Sequence, residues 1–234
     1  PAINDFVAGF SILLKPNGVA TFEFPHLLKL VNENQFDTIY HEHFSYLSLT
    51  ALEAIFKENG LQIFDVEEHT THGGSLRLFA QRSDTGVQIV SEQVIKLRKR
   101  EMDAGMNSDN FYKNFQEKAN IVKDDLLNFL IKAKQDGKKV VAYGAAAKGN
   151  TLLNYAGIRP DLLSYVVDKS PSKQGKYMPG SRIPIHTEQF LKNDKPDYVL
   201  ILPWNLKNEV IKQLSYIQVN GGNFVVAVPK LEII

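Results

Sequence analysis

The chain has 234 residues, 44% of them apolar and 23% charged, with a formal net charge of +1. That balance belongs to a folded globular protein, with nothing to suggest disorder, and so small a charge gives no electrostatic footprint for nucleic acid. The absence of cysteine excludes disulfides and thiolate metal sites, and no apolar run is long enough to span a bilayer.

In chain order, residues 1–14 predict an amphipathic helix, with Ile3, Phe6, Val7, Phe10 and Leu14 at helical spacing. Lys15-Pro16-Asn17-Gly18 reads as a turn, and residues 19–24 as a strand ended by Pro25. After a polar insertion, Thr50-Ala51-Leu52-Glu53 fits a capping box opening a helix through Leu52, Ile55 and Phe56 to Asn59-Gly60. Residues 61–66 read as a strand, His72-Gly73-Gly74 as a glycine-rich turn, and 75–81 as another strand.

Residues 85–137 read as a helical connector, with Phe111, Phe115, Val122, Leu126, Leu130 and Ala133 on one stripe and Ser108 or Asp109 as its cap. The run Lys96-Leu97-Arg98-Lys99-Arg100 reads as a solvated helix face. From Lys138 the pattern alternates, with strands at 140–143, 164–167, 198–202 and 223–228 and helices after Lys148, near Thr187 and after Asn205. Such alternation predicts a parallel, Rossmann-like sheet. The expected organisation is therefore three segments: 1–84, a connector at 85–137, and an α/β domain at 138–234.

"VVAYGAAAKGNTLL" is a buried strand, a glycine-containing turn and a helix start. Such a turn aims backbone amides and the helix dipole at an anion, usually a phosphate. Gly144, Ala146 and Gly149 stand at the three positions of the dinucleotide fingerprint, with alanine hindering the closest approach of a pyrophosphate. Lys148 precedes Gly149, so the loop is not a Walker loop. Lys148 beside the helix start favours phosphate, and Asp168 at the end of the next strand is placed for a ribose hydroxyl. The competing reading is a tight strand–helix turn with no ligand. Trp204, past a later strand, has two readings: a stacking platform for a base, or a packing residue.

"TIYHEHFSYLS", residues 38–48, concentrates His41, Glu42, His43, Tyr40 and Tyr46. A metal reading would use His41 and His43 with His69 or His72, but three or four converging ligands are not demonstrable from spacing. A proton-transfer reading fits better, because histidine titrates near neutrality and tyrosine hydroxyls donate to a developing oxyanion. A polar surface loop remains the plain alternative.

"GFSILLKPNGVATFEFP" resembles the late helix, Lys-Pro-x-Gly turn and fifth strand of class I methyltransferases that use S-adenosylmethionine. "YHEHFSYLS", "THGGSLRLFAQR" and "AYGAAAKGNTLLNY" then follow in the order found in sugar C-methyltransferases acting on nucleotide-linked deoxysugars. The resemblance covers essentially the whole chain. It implies an α/β protein: the C-terminal end of a class I methyltransferase sheet with its antiparallel last strand, the helical connector, and a Rossmann-like parallel-sheet domain. In that family a zinc-binding domain and the glycine-rich cofactor loop come first. With Pro1 at the start and Met102 the first methionine, the chain is expected to be a piece of a longer protein. No confident cofactor or metal ligand is then expected within it, and the isolated piece is expected to be inactive and not to bind S-adenosylmethionine measurably.

The implied substrate is a dTDP-linked 4-keto sugar, and the implied chemistry is removal of the proton beside its ketone, followed by methyl transfer to that carbon. By resemblance His43 is the base, with Glu42 and Tyr40 around the sugar and His72, Gly73, Gly74 and Ser75 forming a further wall. Loop physics assigns Gly144, Lys148, Gly149 and Asn150 to the pyrophosphate. The base must be neutral to act, so activity is expected to fall below the histidine's pKa. With no secretory signal or membrane span, a cytoplasmic location and no nucleic-acid or membrane partner are expected. The rival classes are an NAD-dependent oxidoreductase using Gly144, Gly149 and Asp168, and a non-catalytic nucleotide-sugar-binding module.

Overall fold

The computed structural model describes residues 2–234. These residues form two compact units, one made of the chain up to Asn32 with His43–Phe115, the other of Glu33–Glu42 with Gln116–Ile234. The helical stretch 85–137 is thereby shared between them.

The first unit contains α1 (Ile3–Leu13), β1 (Val19–Pro25), α2 (Leu27–Asn32), α3 (Leu49–Glu58), β2 (Leu61–His69), β3 (Ser75–Arg82) and α4 (Glu92–Asp103). Its sheet has the order β1-β3-β2, with β3 antiparallel to both neighbours. Leu76, Leu78 and Ala80 of β3 alternate onto the core face, where they meet Leu49, Leu52 and Phe56 of α3 and Val94 and Leu97 of α4. The predicted strand 61–66 extends to His69 because a bulge between Ile63 and Asp65 resets its alternation. Strict alternation after Leu61 and Ile63 would turn Asp65 inward; the extra residue turns Val66 inward instead. Asp65 then accepts Ser91 Oγ at 2.6 Å.

The capping box at Thr50 is corrected. Ser48 caps α3, its hydroxyl accepting the Ala51 N–H at 3.1 Å. Thr50 is taken by a residue that local spacing cannot show: Glu101 of α4 accepts the Thr50 hydroxyl at 2.6 Å and the Leu49 and Thr50 amides at 2.8 Å each. The same fully buried carboxylate contacts His26 Nε2 at 2.8 Å. The basic run on α4 is solvated as expected, except that Leu97 is buried and Arg98 and Arg100 pair with Glu53 and Glu68. Residues 83–91 are not helical, and the next helix starts only where Ser91 supplies a cap.

The second unit contains α5 (Phe115–Gln135), β4 (Val140–Tyr143), α6 (Ala147–Tyr155), β5 (Val166–Val167), β6 (Ile185–His186), α7 (Glu188–Asp194), β7 (Tyr198–Ile201), α8 (Lys207–Gln213), α9 (Tyr216–Val219), β8 (Asn223–Val226) and β9 (Glu232–Ile233). The six strands run in the order β6-β5-β4-β7-β8-β9, parallel except for β9 at one edge. This is the expected Rossmann-like α/β sheet. Its strands β4, β5 and β7 are apolar throughout because both faces are covered there. Tyr143, Val167, Ile201 and Val226 point to one face with Leu191, Leu214 and Ile217, while the alternate residues Ala142, Val166, Leu200 and Val225 are buried too. On α5 the buried stripe is Ala119, Val122, Leu126, Leu130 and Ala133. Ser108, expected to cap that helix, caps a separate turn, Asp109–Phe111. Among the described residues no helix is long and apolar enough to cross a membrane.

Candidate functional site

In open parallel sheets, ligands favour the crevice beyond the strand carboxyl ends where the strand order reverses. That point lies between β4 and β7, since the chain goes from β4 to β5 and β6 on one side and then to β7 and β8 on the other. Gly144, following β4, has φ +95°, and a Cβ on it would lie 2.5 Å from Pro203 Cδ. Pro203, just past β7, thus closes the crevice against the glycine. Gly149 permits close packing of α6, where a Cβ would meet Leu202 Cβ at 2.8 Å.

The loop amides are engaged internally. Gly144 N–H donates to Val167 O, Ala145 N–H to Asp168 Oδ2 and Ala146 N–H to Gly144 O, at 2.7, 2.8 and 2.8 Å. Asp168 also accepts the Ser170 N–H at 2.8 Å and Lys173 Nζ at 3.2 Å. The fingerprint positions and Asp168 therefore build the turn itself. What stays open is the start of α6, whose N-cap, Ala146, has no side chain able to cap it, leaving the first-turn amides of Ala147, Lys148 and Gly149 without that partner.

That helix start borders a cavity of about 460 Å³, walled also by Tyr40, Glu42, Asn150, Lys173 and Lys176. Gly149, expected at the pyrophosphate, does not line it, and neither does Lys148. Its ammonium donates to Asn205 Oδ1 at 2.7 Å and lies 4.5 Å from the centre of the Trp204 ring, and burial lowers its pKa. Trp204 packs beneath that ammonium, its indole N–H donating to Asp37 Oδ2 at 2.8 Å. His41, almost fully exposed, approaches Glu42 at 3.6 Å.

The boundary between units falls between Glu42 and His43. His43 is half-buried in the first unit, its ring edge-on to Tyr46 with centroids 6.4 Å apart. The end of its loop is fixed by Leu27 N–H donating to Leu47 O at 2.9 Å, and His26 N–H donates to Gly74 O at 3.0 Å. The His43 loop and the His72-Gly73-Gly74 turn are thus joined through residues 26 and 27. Gly74 has φ +117°, and a Cβ there would lie 2.9 Å from Lys29 Cγ. Ser75 is buried, its hydroxyl shared with Thr71 at 2.6 Å and with Glu23 at 3.0 Å. His72 is exposed, in the left-handed region at φ 56°. Among the described residues no three His, Cys, Asp or Glu side chains are grouped to hold a metal ion.

A family described as the C-methyltransferase C-terminal domain matches residues 70–229. The chain belongs to that C-methyltransferase family. It is also 36% identical over all 234 of its residues to the C-methyltransferase NovU of Streptomyces niveus, and spans 56% of that relative's length.

Two features of this C-methyltransferase domain escape sequence reading. Lys173 and Lys176 wall the cavity; the signal was a lysine pair around Gly175 shortly after a strand end. Asp37 looks like an ordinary loop acid, yet it is fully buried. Burial pushes its carboxyl up to about 6, against the opposing pull of the Trp204 hydrogen bond and the Lys148 charge.

Proposed function

We propose that the chain is the C-terminal part of an S-adenosylmethionine-dependent C-methyltransferase whose acceptor is a nucleotide-linked keto-deoxysugar, dTDP-linked in the typical case. The observation that carries this reading is the cavity of about 460 Å³ joining Tyr40 and Glu42 to the uncapped start of α6 and to Lys173 and Lys176. A helix start with free amides and two ammonium groups suits a diphosphate, and a phenol and a carboxylate suit sugar hydroxyls.

In this mechanism Ala147, Lys173 and Lys176 hold the diphosphate, and Asn150, Tyr40 and Glu42 orient the sugar. His43, next in the chain to Glu42, takes the proton from the carbon beside the ketone. Charge then develops on the ketone oxygen as an enolate, which a hydroxyl or backbone donor can stabilise. A role in contacting the sugar is also proposed for the turn at His72, Gly73, Gly74 and Ser75.

S-adenosylmethionine supplies an electrophilic methyl group when bound. The described residues of the first unit offer only the antiparallel strands β1-β3-β2, with no glycine turn after a parallel strand. They do not fit a whole cofactor cradle. The proposed cofactor pocket lies mostly outside these residues, as does any zinc-binding domain. An NAD-dependent oxidoreductase is disfavoured, because Pro203 fills the crevice and Asp168 is committed to Ala145 and Ser170.

The test is replacement of His43 by asparagine in the full-length enzyme. Methyl transfer to the keto-sugar should be lost while S-adenosylmethionine still binds. Turnover near wild type would remove His43 from the mechanism.

A further inference from the structure

Residues 33–42 belong to the second unit, although the chain on both sides of them belongs to the first. So short a segment needs specific fixings. It forms one turn, Phe36–Thr38, with the Phe36 ring 5.2 Å from that of Tyr155 and Asp37 accepting the Trp204 indole N–H at 2.8 Å. Asp37 is fully buried, and among the described residues its Oδ1 has no hydrogen-bond partner. A buried carboxylate with one neutral donor is a poor way to gain stability, since an apolar pair of the same shape serves better. It is a good way to fix one geometry.

Trp204 is itself held from its other side by Lys148, which is anchored on Asn205. It opens the turn Trp204–Leu206, directly after Pro203. One turn past β7 therefore braces two walls of the same cavity: the Gly144 loop through Pro203, and the 33–42 segment through Trp204. Three residues beyond Asp37 comes Tyr40, and then Glu42, both in the cavity wall.

We propose that Asp37 is a positioning residue: by gripping the Trp204 indole it sets where Tyr40 and Glu42 stand in the nucleotide-sugar cavity. The proposal rests on the sugar-nucleotide reading above. The grip is a hydrogen bond rather than a charge effect, so any acceptor of the right shape at position 37 should preserve it.

The full-length enzyme tests it with Asp37→Leu and Trp204→Phe, which remove the grip and leave an apolar side chain, and Asp37→Asn, which keeps an acceptor. Asp37→Leu and Trp204→Phe should each lower kcat about tenfold or more. The double variant should fall no further than the worse single one, and Asp37→Asn should recover to within about threefold of wild type. Hydrogen exchange at amides 39–42 should quicken about tenfold in Asp37→Leu while β3 is unchanged. Unchanged exchange at 39–42, or additive losses in the double variant, overturns the proposal. Faster exchange with undiminished turnover overturns it too, because the segment then moves without consequence. Failure of the sugar-nucleotide reading looks different: wild-type enzyme would not turn over dTDP-linked keto-sugars, and thymidine diphosphate would not slow exchange around Lys173. Exchange at 39–42 would still decide whether Asp37 holds the segment.

Discussion

Replacing Asp37 with asparagine should stabilise the second unit at neutral and alkaline pH. Burial holds the native carboxyl near 6, whereas its ordinary value is 3.8. Between those values the folded chain binds more protons than the unfolded chain, so stability falls as pH rises. Below the lower value the buried group costs nothing as a charge; above the higher one the full penalty is present. The gap is about two pH units, or about 3 kcal/mol. Asparagine has nearly the same shape, keeps an acceptor for Trp204 and carries no charge, so it removes this slope. Trp204 is the only tryptophan of the 234 residues and bonds directly to residue 37, so its fluorescence reports unfolding of the relevant unit. Urea titrations of both proteins across about pH 4 to 8 give the difference directly, because groups common to both cancel. The asparagine variant's advantage should grow from near zero to about 3 kcal/mol. A difference that stays flat to within about 0.5 kcal/mol would refute the claim that Asp37 is buried with so little compensation.

In the first unit, Glu101→Ala should cost about 3–5 kcal/mol in chemical denaturation, since it strips a buried acceptor from His26, Thr50 and the first amides of α3. Although burial works the other way, the hydrogen bonds from His26, Thr50 and Leu49 hold the Glu101 carboxyl below its usual range; its contribution should be full above the unfolded carboxylate pKa and fade as pH falls through the folded one. Gly144→Ala combines a positive φ with a Cβ 2.5 Å from Pro203, so it should destabilise the second unit by at least about 1–3 kcal/mol, read by thermal melting. Replacing Lys173 and Lys176 together with alanine should weaken thymidine diphosphate binding by about tenfold in calorimetry and flatten its salt dependence; an unchanged affinity removes both lysines from the phosphate site.

Most elements were legible because their periodicities are strong. The α5 stripe from Val122 to Ala133 and the alternation of β3 sit where spacing put them, while Phe111 falls in a separate turn. The misses share a cause, which is that a distant residue decided the local outcome. β6 and β9 span two residues each and exist only because a neighbouring strand pairs with them. Thr50 and Glu53 have the pattern of a capping box, yet Glu101, fifty-one residues beyond Thr50, takes the threonine and leaves the cap to Ser48. The site behaves likewise. The Tyr40–His43 motif announces itself by composition, but the partner that makes Asp37 unusual is Trp204, 167 positions away.

The glycine fingerprint shows why a motif can be present while its usual ligand geometry is not. A glycine after a buried strand answers any of several demands: a positive φ, room for a ligand, or room for another part of the chain. At Gly144 the first and third apply together, since φ is +95° and the space a ligand would need holds Pro203. The alanine at 146 lines the open cavity rather than the packed contact between Gly144 and Pro203. With the crevice shut, the helix dipole of α6 still points outward from an uncapped start. The cavity it borders lies beside the chain after β5, at Lys173 and Lys176, and Ile185 of β6. The fold thus keeps the anion-attracting end of the motif and shifts the accessible space away from the switch point, toward the wall formed by Tyr40 and Glu42. That arrangement supports the proposed sugar-nucleotide acceptor over a dinucleotide laid across the sheet.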